Sequence, residues 1–299
     1  MNLLDCFTKG YGVLQSNNKV LTCLLKPLRF FVRGVANNCL PKYLNRTDSY
    51  ASKKTCEPII ISLTSFPARI NNVWQVVECM FRQSIRPYKI FLWLSKEQFP
   101  KKEDIPLSLL SRENDIFNIR LVEGDIRSHK KYYYVSKEYK DSLIFLIDDD
   151  IYYPTDILEK SLNEYLKNPN TVVCNYGTQI QFDNVGRHKS YSHWISNRGS
   201  TNIFFGSGGG TLFKPKDLHV DLTNITLAYE LTPTADDIWL NTMARLKGTR
   251  IILLSNKLIL PIINSKSDDL SSVNNGLFKN DIQIEAIEKH YGRCFDEHK

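Results

Sequence analysis

The sequence lacks the features that organise several classes of protein. Its seven cysteines are odd in number and include no Cys-x-x-Cys pair, so neither a disulfide framework nor a thiolate zinc site is expected, and a reducing compartment fits best. No repeat with a period of about 20 to 50 residues recurs, which argues against a solenoid or a propeller. The longest apolar stretch, 20–35, is interrupted by Lys, Arg, Pro and Gly. It cannot span a bilayer, which takes about 20 largely apolar residues.

Common catalytic motifs are also missing. The sequence contains no His-Glu-x-x-His, no Gly-x-Ser-x-Gly and no glycine-rich loop ending in Gly-Lys-Ser/Thr, so zinc-protease, nucleophile-elbow and P-loop chemistry have no local support. The first residues make a poor secretory signal, because Asp5 comes early and no uninterrupted apolar segment precedes a small-residue cleavage site. We therefore expect a cytoplasmic protein.

The excess positive charge is confined to the first 56 residues. Residues 1–56 contain nine Lys or Arg and two Asp, which accounts for the whole net charge of +7, whereas acidic and basic residues balance over 57–299. A neutral body argues against a nucleic-acid-binding face. We therefore divide the chain into a basic, partly helical N-terminal extension, 1–56, and a catalytic domain, 57–299.

The extension mixes Leu and Phe with Lys and Arg between residues 21 and 33. Such a segment can lie on an anionic membrane, here at the inner face of the plasma membrane. It can equally be a helix that packs on the body with its charges in water, and the sequence does not separate the two. Pro27 is expected to break or kink any helix at this point.

Strands and helices alternate from residue 57 onward. Short runs rich in branched apolar residues predict strands, and apolar residues at helical spacing predict helices. The predicted strands are 58–63, 88–94, 119–122, 142–147, 171–174 and 250–254, and the predicted helices are 70–83, 155–167, 235–247 and 281–290. Thr234 is expected to cap the helix 235–247, and Gly248 to end it. The pattern indicates an α/β fold with a Rossmann-like, mostly parallel central sheet flanked by helices.

Three consecutive acids follow the most apolar strand. Asp148, Asp149 and Asp150 come directly after 142–147, and ligands of open α/β sheets bind outside the carboxyl ends of strands. If the segment is extended, Asp148 and Asp150 point the same way and Asp149 points opposite. Such a pair can hold Mn²⁺ or Mg²⁺ together with a diphosphate. The alternative is an acidic loop that caps the next helix, with Asp156 in its first turn.

A basic segment follows the third strand, at the same expected edge of the sheet. Arg127, Lys130 and Lys131 have charges suited to phosphate oxygens. Asp125 could accept hydrogen bonds from a base or from sugar hydroxyls. The alternative for each residue is a solvated charge run before a tyrosine-rich helix.

Asp236 and Asp237 form a second acidic cluster. A carboxylate here could serve as the base that activates an attacking hydroxyl, although acids are favoured at a helix start in any case. Burial would raise its pKa and the helix dipole would lower it, and the sequence does not decide between them. The glycines of 206–210 allow close backbone approach or a bulge. His188 and His193 could line a substrate cleft.

In this order of motifs, the sequence resembles bacterial glycosyltransferases of the A-type fold, particularly the family 2 group and related capsule or lipopolysaccharide transferases. The resemblance covers 58–255. It rests on the Ser-Leu-Thr-Ser-Phe-Pro-Ala-Arg segment 62–69, the acids 148–150, the glycines 206–210 and the Ala-Asp-Asp-Ile-Trp segment 235–239.

The resemblance implies a role for each of these positions. The nucleotide-sugar donor would be bound by Thr64, Phe66, Pro67, Arg69, Asp125, Arg127, Lys130, Lys131, Asp148 and Asp149. The metal would be held by Asp148 and Asp150. The acceptor would contact Gly208, Gly209, Trp239 and His193. The catalytic base would be Asp237 or Asp236. The absence of a C-terminal His-x-x-Gly-x-x-Lys pattern favours inversion.

The expected function is therefore metal-dependent transfer of a sugar from a nucleotide-sugar donor to a glycan or lipid-linked acceptor, in surface polysaccharide biosynthesis. Two alternatives use the same residues. A nucleotidyltransferase or phosphotransferase could employ the same Asp cluster, and a catalytically inactive protein of the same fold could bind glycans.

Overall fold

A computed structural model describes residues 2–15, 19–46, 53–55, 57–195, 202–255, 259–263 and 279–297. A seven-stranded sheet runs through its centre in the order β10-β6-β9-β4-β1-β2-β3. Its strands are β1 (Ile59–Thr64), β2 (Lys89–Ser95), β3 (Phe117–Val122), β4 (Leu143–Ile147), β6 (Val172–Cys174), β9 (Gly209–Phe213) and β10 (Ile251–Leu253). Strand β9 pairs antiparallel with both of its neighbours, and the other pairs of this sheet are parallel. The predicted fold class, a mostly parallel α/β sheet, is confirmed.

Helices cover both faces of the sheet. They are α1 (Leu3–Val13), α2 (Lys19–Leu24), α3 (Lys26–Leu44), α4 (Val73–Phe81), α5 (Leu107–Leu110), α6 (Lys130–Glu138), α7 (Ile157–Lys167), α8 (Ile225–Leu231), α9 (Asp236–Lys247) and α10 (Lys279–Tyr291). Two short antiparallel pairs complete the described structure: β5 (Ile151–Tyr152) with β11 (Leu260–Pro261), and β7 (Gly177–Gln179) with β8 (Ile203–Phe205).

The side chains of β1 show how one strand serves two cores. Ile59, Ile61 and Leu63 belong to a core shared with α4 and α7, whereas Ile60 belongs to a core shared with α6, α9 and α10. Successive side chains of a strand point to opposite faces. A strand buried on both faces is therefore apolar throughout, which explains the unbroken apolar runs of β1 and β4.

Most predicted elements are present within a few residues of their expected bounds, but the cap of α9 is different. The helix begins at Asp236, and its N-cap, Ala235, offers no side-chain hydrogen bond. Thr234 instead donates from its backbone N to Gln283 Oε1, 3.1 Å away. The predicted Thr234 cap is thus wrong, because a tertiary contact with α10 engages this residue. Gly248, with φ of 74°, ends the helix as predicted.

Two helices of the N-terminal extension pack on the body. Leu4 of α1 and Leu40 and Leu44 of α3 are fully buried in the core that contains β1 and α4. The Asp5 carboxylate accepts hydrogen bonds from Thr155 N and Oγ1, both at 2.8 Å. Among the described residues, no helix is both long and apolar enough to cross a bilayer. The boundary predicted at residue 56 lies outside the described residues.

Pro27 lies where the extension divides into two helices, as predicted. Helix α2 ends at Leu24 and α3 begins at Lys26. Pro27 is therefore in the first turn of α3, where its missing N–H leaves no helical hydrogen bond unmade. On either side of this boundary Leu25 N donates to Leu21 O and Arg29 N donates to Leu25 O, both at 2.9 Å.

Candidate active site

The two acidic clusters meet at one edge of the sheet. Asp148 follows the carboxyl end of β4, and β9 begins beside it because β9 runs in the opposite direction. The register between the two strands shifts after Leu146, and Gly210 adopts a φ of 95° at this bulge. Asp148 N donates to Gly208 O at 3.1 Å. The glycine-rich segment therefore forms a bulge that brings the backbone of 206–208 against the acids.

The acids 148–150 do not form the extended segment that the sequence suggested. Asp149 and Asp150 lie in a turn, so the alternation of side chains does not apply. Arg69 NH1 lies 3.2 Å from Asp149 Oδ1 and 2.8 Å from Asp150 Oδ2, and Ser65 Oγ donates to Asp149 Oδ2 at 2.5 Å. Burial raises the pKa of Asp149, although the Arg69 charge acts in the opposite direction. In this structure Arg69 is a counterion of two acids.

Lys131 joins the first acidic cluster to the second. Its Nζ lies 2.9 Å from Asp148 Oδ1 and 3.0 Å from Asp236 Oδ2. Burial alone would lower the pKa of Lys131, but the charges of Asp148 and Asp236 hold it well above its usual value. The lysine is therefore a permanent cation. With only 4% of its surface exposed, Lys131 is engaged by the two acids, and its contact with a donor phosphate stays a prediction.

Lys130 also differs from its expected role. It is 2% exposed and pairs with Asp125, and burial lowers the pKa of this lysine. Asp125 also accepts from Gln98 Nε2 at 2.8 Å and from Arg127 N at 3.0 Å. Arg127 is exposed and has a φ of 52°, a strained region for a residue with a side chain. The structure thus leaves Arg127 as the accessible cation of this segment.

The two acids of α9 have different environments. Ser207 Oγ donates to Asp236 Oδ2, and Ser207 N donates to Asp237 Oδ1, both at 2.8 Å. Burial acts to raise the pKa of Asp236, but Lys131, His129 and Ser128 together outweigh it and the pKa is lowered. Burial and the neighbouring Asp236 raise the pKa of Asp237 to about 6. The competition that the sequence left open is therefore resolved in opposite directions for adjacent residues.

The glycines make room for side chains of this chain. A Cβ on Gly208 would lie 1.8 Å from the Asp148 Cγ and Oδ2 atoms, and a Cβ on Gly209 would lie 2.4 Å from Tyr176 Cβ. Neither approach is possible for a residue with a side chain. In the structure Gly208 contacts Asp148, and Gly209 contacts Tyr176. Contact of either glycine with an acceptor remains a prediction.

Two tyrosines complete the site and were missed from the sequence. The Tyr153 hydroxyl accepts from Asp148 N at 2.8 Å and donates to Gly208 O, so it fixes the backbone of the first acid. Tyr176 lies over Gly206, with Cδ1 2.9 Å from the position of a Cβ there. Burial and the charge of Asp237 raise the pKa of Tyr176. Both roles arise from tertiary contacts, so no local sequence pattern indicated them.

The remaining predicted site residues are distributed more widely. Trp239 has no exposed surface, and its Nε1 donates to Leu222 O at 3.2 Å, so the prediction that it walls the acceptor site is wrong: it is a core residue. His193 is exposed on a short turn. Thr64 Oγ1 donates to Trp93 O at 2.7 Å. The Phe66 ring, next to the exposed Pro67, lies 5.4 Å from Arg69 Cζ.

The site retains an excess of negative charge. Lys131 and Arg69 are shared among four carboxylates, and Asp237 adds a fifth. The side chains of Asp148 and Asp150 are 40% and 26% exposed. Mg²⁺ and Mn²⁺ prefer such hard oxygen ligands and are commonly held by one or two carboxylates together with substrate phosphates. The donor set of Asp148 and Asp150 therefore fits a divalent cation.

Comparison with known proteins supports the fold. No family model and no curated protein sequence matches the chain. Among solved structures, the mannosyltransferase PcManGT from Pyrobaculum calidifontis in complex with GDP-Man and Mn²⁺ is similar over 96% of this chain and 75% of its own, with 12% identity and a TM-score of 0.50. This similarity shows the fold, a Rossmann-like α/β arrangement around a mostly parallel sheet.

Weaker similarities extend to other solved structures. The 4-diphosphocytidyl-2C-methyl-D-erythritol synthase from Anaerococcus prevotii has 14% identity, covers 74% of this chain and 96% of its own, and gives a TM-score of 0.42. HddC from Yersinia pseudotuberculosis has 16% identity, covers 54% and 77%, and gives a TM-score of 0.34.

Proposed function

We propose that the chain is a metal-dependent glycosyltransferase that moves a sugar from a nucleotide-sugar donor to a glycan or lipid-linked acceptor with inversion, in surface polysaccharide biosynthesis. The observation that carries the proposal is the lysine bridge. Because Asp148 Oδ1 and Asp236 Oδ2 both lie within 3.0 Å of Lys131 Nζ, the predicted metal ligand lies beside the acid that precedes Asp237, the proposed base. A sugar carbon between a diphosphate and an attacking hydroxyl needs this arrangement.

Asp148 and Asp150 would hold Mn²⁺ or Mg²⁺, which when bound neutralises the diphosphate that leaves. The excess of carboxylates over cations supports this assignment. So does the fold, because PcManGT of similar architecture is in complex with GDP-Man and Mn²⁺. The donor would extend toward Thr64, Phe66, Pro67, Asp125 and Arg127.

Asp237 would remove the proton of the acceptor hydroxyl. A pKa of about 6 leaves it deprotonated at neutral pH yet still basic, which suits a general base. Its Oδ1 accepts from Ser207 N, while Oδ2 lies 4.0 Å from the position that a Cβ on Gly206 would occupy. As the acceptor oxygen bonds to the sugar carbon, the bond between that carbon and the diphosphate oxygen breaks, the nucleoside diphosphate leaves with the electron pair, and the acceptor proton passes to this carboxylate. Gly209, Tyr176 and His193 would line the acceptor side.

The test is transfer by the purified full-length protein. UDP-, GDP- and CMP-sugars are supplied with Mn²⁺ or Mg²⁺, and released nucleotides are analysed by mass. We expect release of UDP or GDP from the corresponding sugar nucleotide, or of CMP from a CMP-sugar. This release should be lost on EDTA treatment and in Asp150→Asn. The control Asp141→Asn changes an 80% exposed acid and should keep full activity. Pyrophosphate release would indicate nucleotidyl transfer instead, and glycan binding indifferent to EDTA would indicate an inactive binding protein.

We also propose that the extension contacts the anionic inner face of the plasma membrane. Leu24 at the end of α2 and Leu28 and Phe31 in α3 are 70%, 45% and 66% exposed. The spacing of three residues places Leu28 and Phe31 on one face of α3. Phe30 is exposed nearby, and Lys26 adds an exposed positive charge. Aromatic and aliphatic anchors next to basic residues are the composition of a helix that lies on anionic lipid.

A further inference from the structure

A second group of potential metal ligands lies among elements that carry none of the acids described above. The side chains of His188, Glu288 and Asp296 each offer one ligand atom, and these atoms all lie within 4.8 Å of one another. They come from the end of a hairpin, the last turns of α10 and the C-terminal segment. Among the described residues this is the one group of three such side chains.

The histidine is held in the orientation that a metal ligand needs. Its Nδ1 lies 3.1 Å from Lys189 O, and a carbonyl oxygen can only accept, so Nδ1 carries the proton. In the neutral ring Nε2 then presents its lone pair, 3.1 Å from Glu288 Oε1. A backbone carbonyl that receives the other ring N–H is the usual support of a metal-bound histidine.

The two carboxylates leave coordinating oxygens at the same place. Glu288 Oε1 is buried, and its polar neighbour is His188 Nε2, 3.1 Å away. This contact raises the pKa of His188. Asp296 Oδ1 accepts from His188 N at 3.2 Å, and Asp296 Oδ2 lies 3.6 Å from Arg293 NH1. The Trp194 and Phe295 rings lie 6.2 and 6.4 Å from the imidazole. A cation would take the place of a proton between the imidazole and Glu288.

We propose that His188, Glu288 and Asp296 form a structural site for a divalent transition metal, with Zn²⁺ as the ion that suits the set. One imidazole and two carboxylates are ligands that zinc accepts, usually with four-coordinate geometry, whereas the imidazole is a poor ligand for Mg²⁺ or Ca²⁺. Water would supply the fourth ligand. The ion would tie the hairpin 182–188 and the C-terminal segment to α10.

The experiment measures Zn²⁺ binding to the EDTA-treated, full-length protein by calorimetry, with excess Mg²⁺ present to occupy the Asp148 and Asp150 site. One Zn²⁺ per chain is expected. Glu288→Gln should weaken binding by more than about 100-fold, beyond the range that outer-shell partners give. The control Glu285→Gln changes an exposed acid of the same helix and should bind like the wild type. Asp150→Asn should also keep this zinc, so that the result is independent of the proposed transferase site.

Two outcomes would overturn the proposal: no Zn²⁺ binding by the wild type, or undiminished binding by Glu288→Gln. The group would then be an ion pair of a protonated His188 with the two acids. Should Glu288→Gln fail to fold, Asp296→Asn takes its place. Co²⁺ loading of the wild type is a second test. The proposed four-coordinate site predicts strong absorption of visible light, whereas the weak absorption of six-coordinate cobalt would contradict the proposal.

Discussion

At the scale of the residue, burial and one lysine together separate the pKa values of two neighbouring acids. Lys131 contacts Asp236 and keeps it ionised, while Asp237, one position further, has its pKa raised to about 6 by burial and by Asp236. Asp236, which stays ionised, is thus adjacent to Asp237, whose pKa is close to neutral pH. Such separation of neighbouring pKa values is typical of acid–base sites.

Asp237→Asn should lower kcat/KM by at least about 100-fold, the lower end of what a general base contributes. For the wild type, kcat/KM should fall as the pH drops below about 6, because protonation of Asp237 removes the base. The measurement is the pH profile of transfer between pH 5 and 8. If kcat/KM does not change with pH, or if Asp237→Asn has wild-type activity, Asp237 is not the base.

The same substitution should stabilise the fold at neutral pH. A carboxyl whose pKa is raised on folding disfavours the folded state increasingly as pH rises from its unfolded value, about 3.9, to its folded value near 6. Removing the charge should therefore increase the free energy of unfolding at pH 7.5 by about 1 to 3 kcal/mol, with the Ser207 N–H still bonded by the Asn oxygen. Urea unfolding at pH 7.5 and pH 4 tests this, because the gain should disappear at the lower pH.

Lys131→Met should be strongly destabilising. It leaves Asp148 and the buried Asp236 without their shared cation, and loss of one partner of a buried ion pair typically costs about 3 to 5 kcal/mol. Adding Asp236→Asn should recover part of the loss, which a double-mutant cycle by urea unfolding would measure. A loss below about 1 kcal/mol for the single variant would contradict the bridge.

At the scale of the element, the bulge between β4 and β9 gives the glycine-rich segment its role. Gly208→Ala would place a Cβ 1.8 Å from the Asp148 carboxyl group and must displace it. A shift of about 1 Å in a catalytic group can cost about 100-fold in rate, and transfer and Mn²⁺ binding should both fall. Gly34→Ala is the control, because nothing lies within 4 Å of its Cβ position in α3 and Ala favours a helix. Equal activity of both variants would refute the role of the close approach.

Sequence patterns predicted what is local and missed what is tertiary. The apolar run of β4 and the acids after it indicated both a buried strand and the edge where the acids lie. Nothing near Lys131 indicated that it would contact Asp236, more than a hundred positions further on. Trp239 is a second example. The sequence predicted helix α9, but it did not show that the Trp239 side chain would be buried, because burial depends on contacts with distant residues such as Leu222. Burial of charges and aromatic rings is decided by elements distant in the chain.

At the scale of the whole molecule, the extension belongs partly to the body and partly to the surface. Leu4, Leu40 and Leu44 are buried in the core, whereas Leu24 at the end of α2 and Leu28 and Phe31 near the start of α3 are exposed. Both sequence-based alternatives can therefore hold at once. The packed part would fix how the exposed part is presented to a membrane.

The variant Phe30→Ser with Phe31→Ser should reduce flotation of the full-length protein with anionic phosphatidylglycerol liposomes while leaving its thermal unfolding unchanged. Neutral phosphatidylcholine liposomes should bind both proteins weakly, because the attraction to anionic lipid is then absent. The control Val220→Ser alters a residue that is 84% exposed elsewhere. If the variant floats with anionic liposomes as well as the wild type does, the proposed contact between the extension and the membrane is contradicted.

The lysine bridge also has a consequence for how this protein can diverge. One ammonium group lies within 3.0 Å of two carboxylates from different parts of the chain. Replacing the lysine with a neutral residue would therefore leave two neighbouring carboxylates without their shared cation. Homologues that lose the lysine should have exchanged at least one of the acids in the same lineage. We therefore expect positions 131, 148 and 236 to covary when many related sequences are aligned.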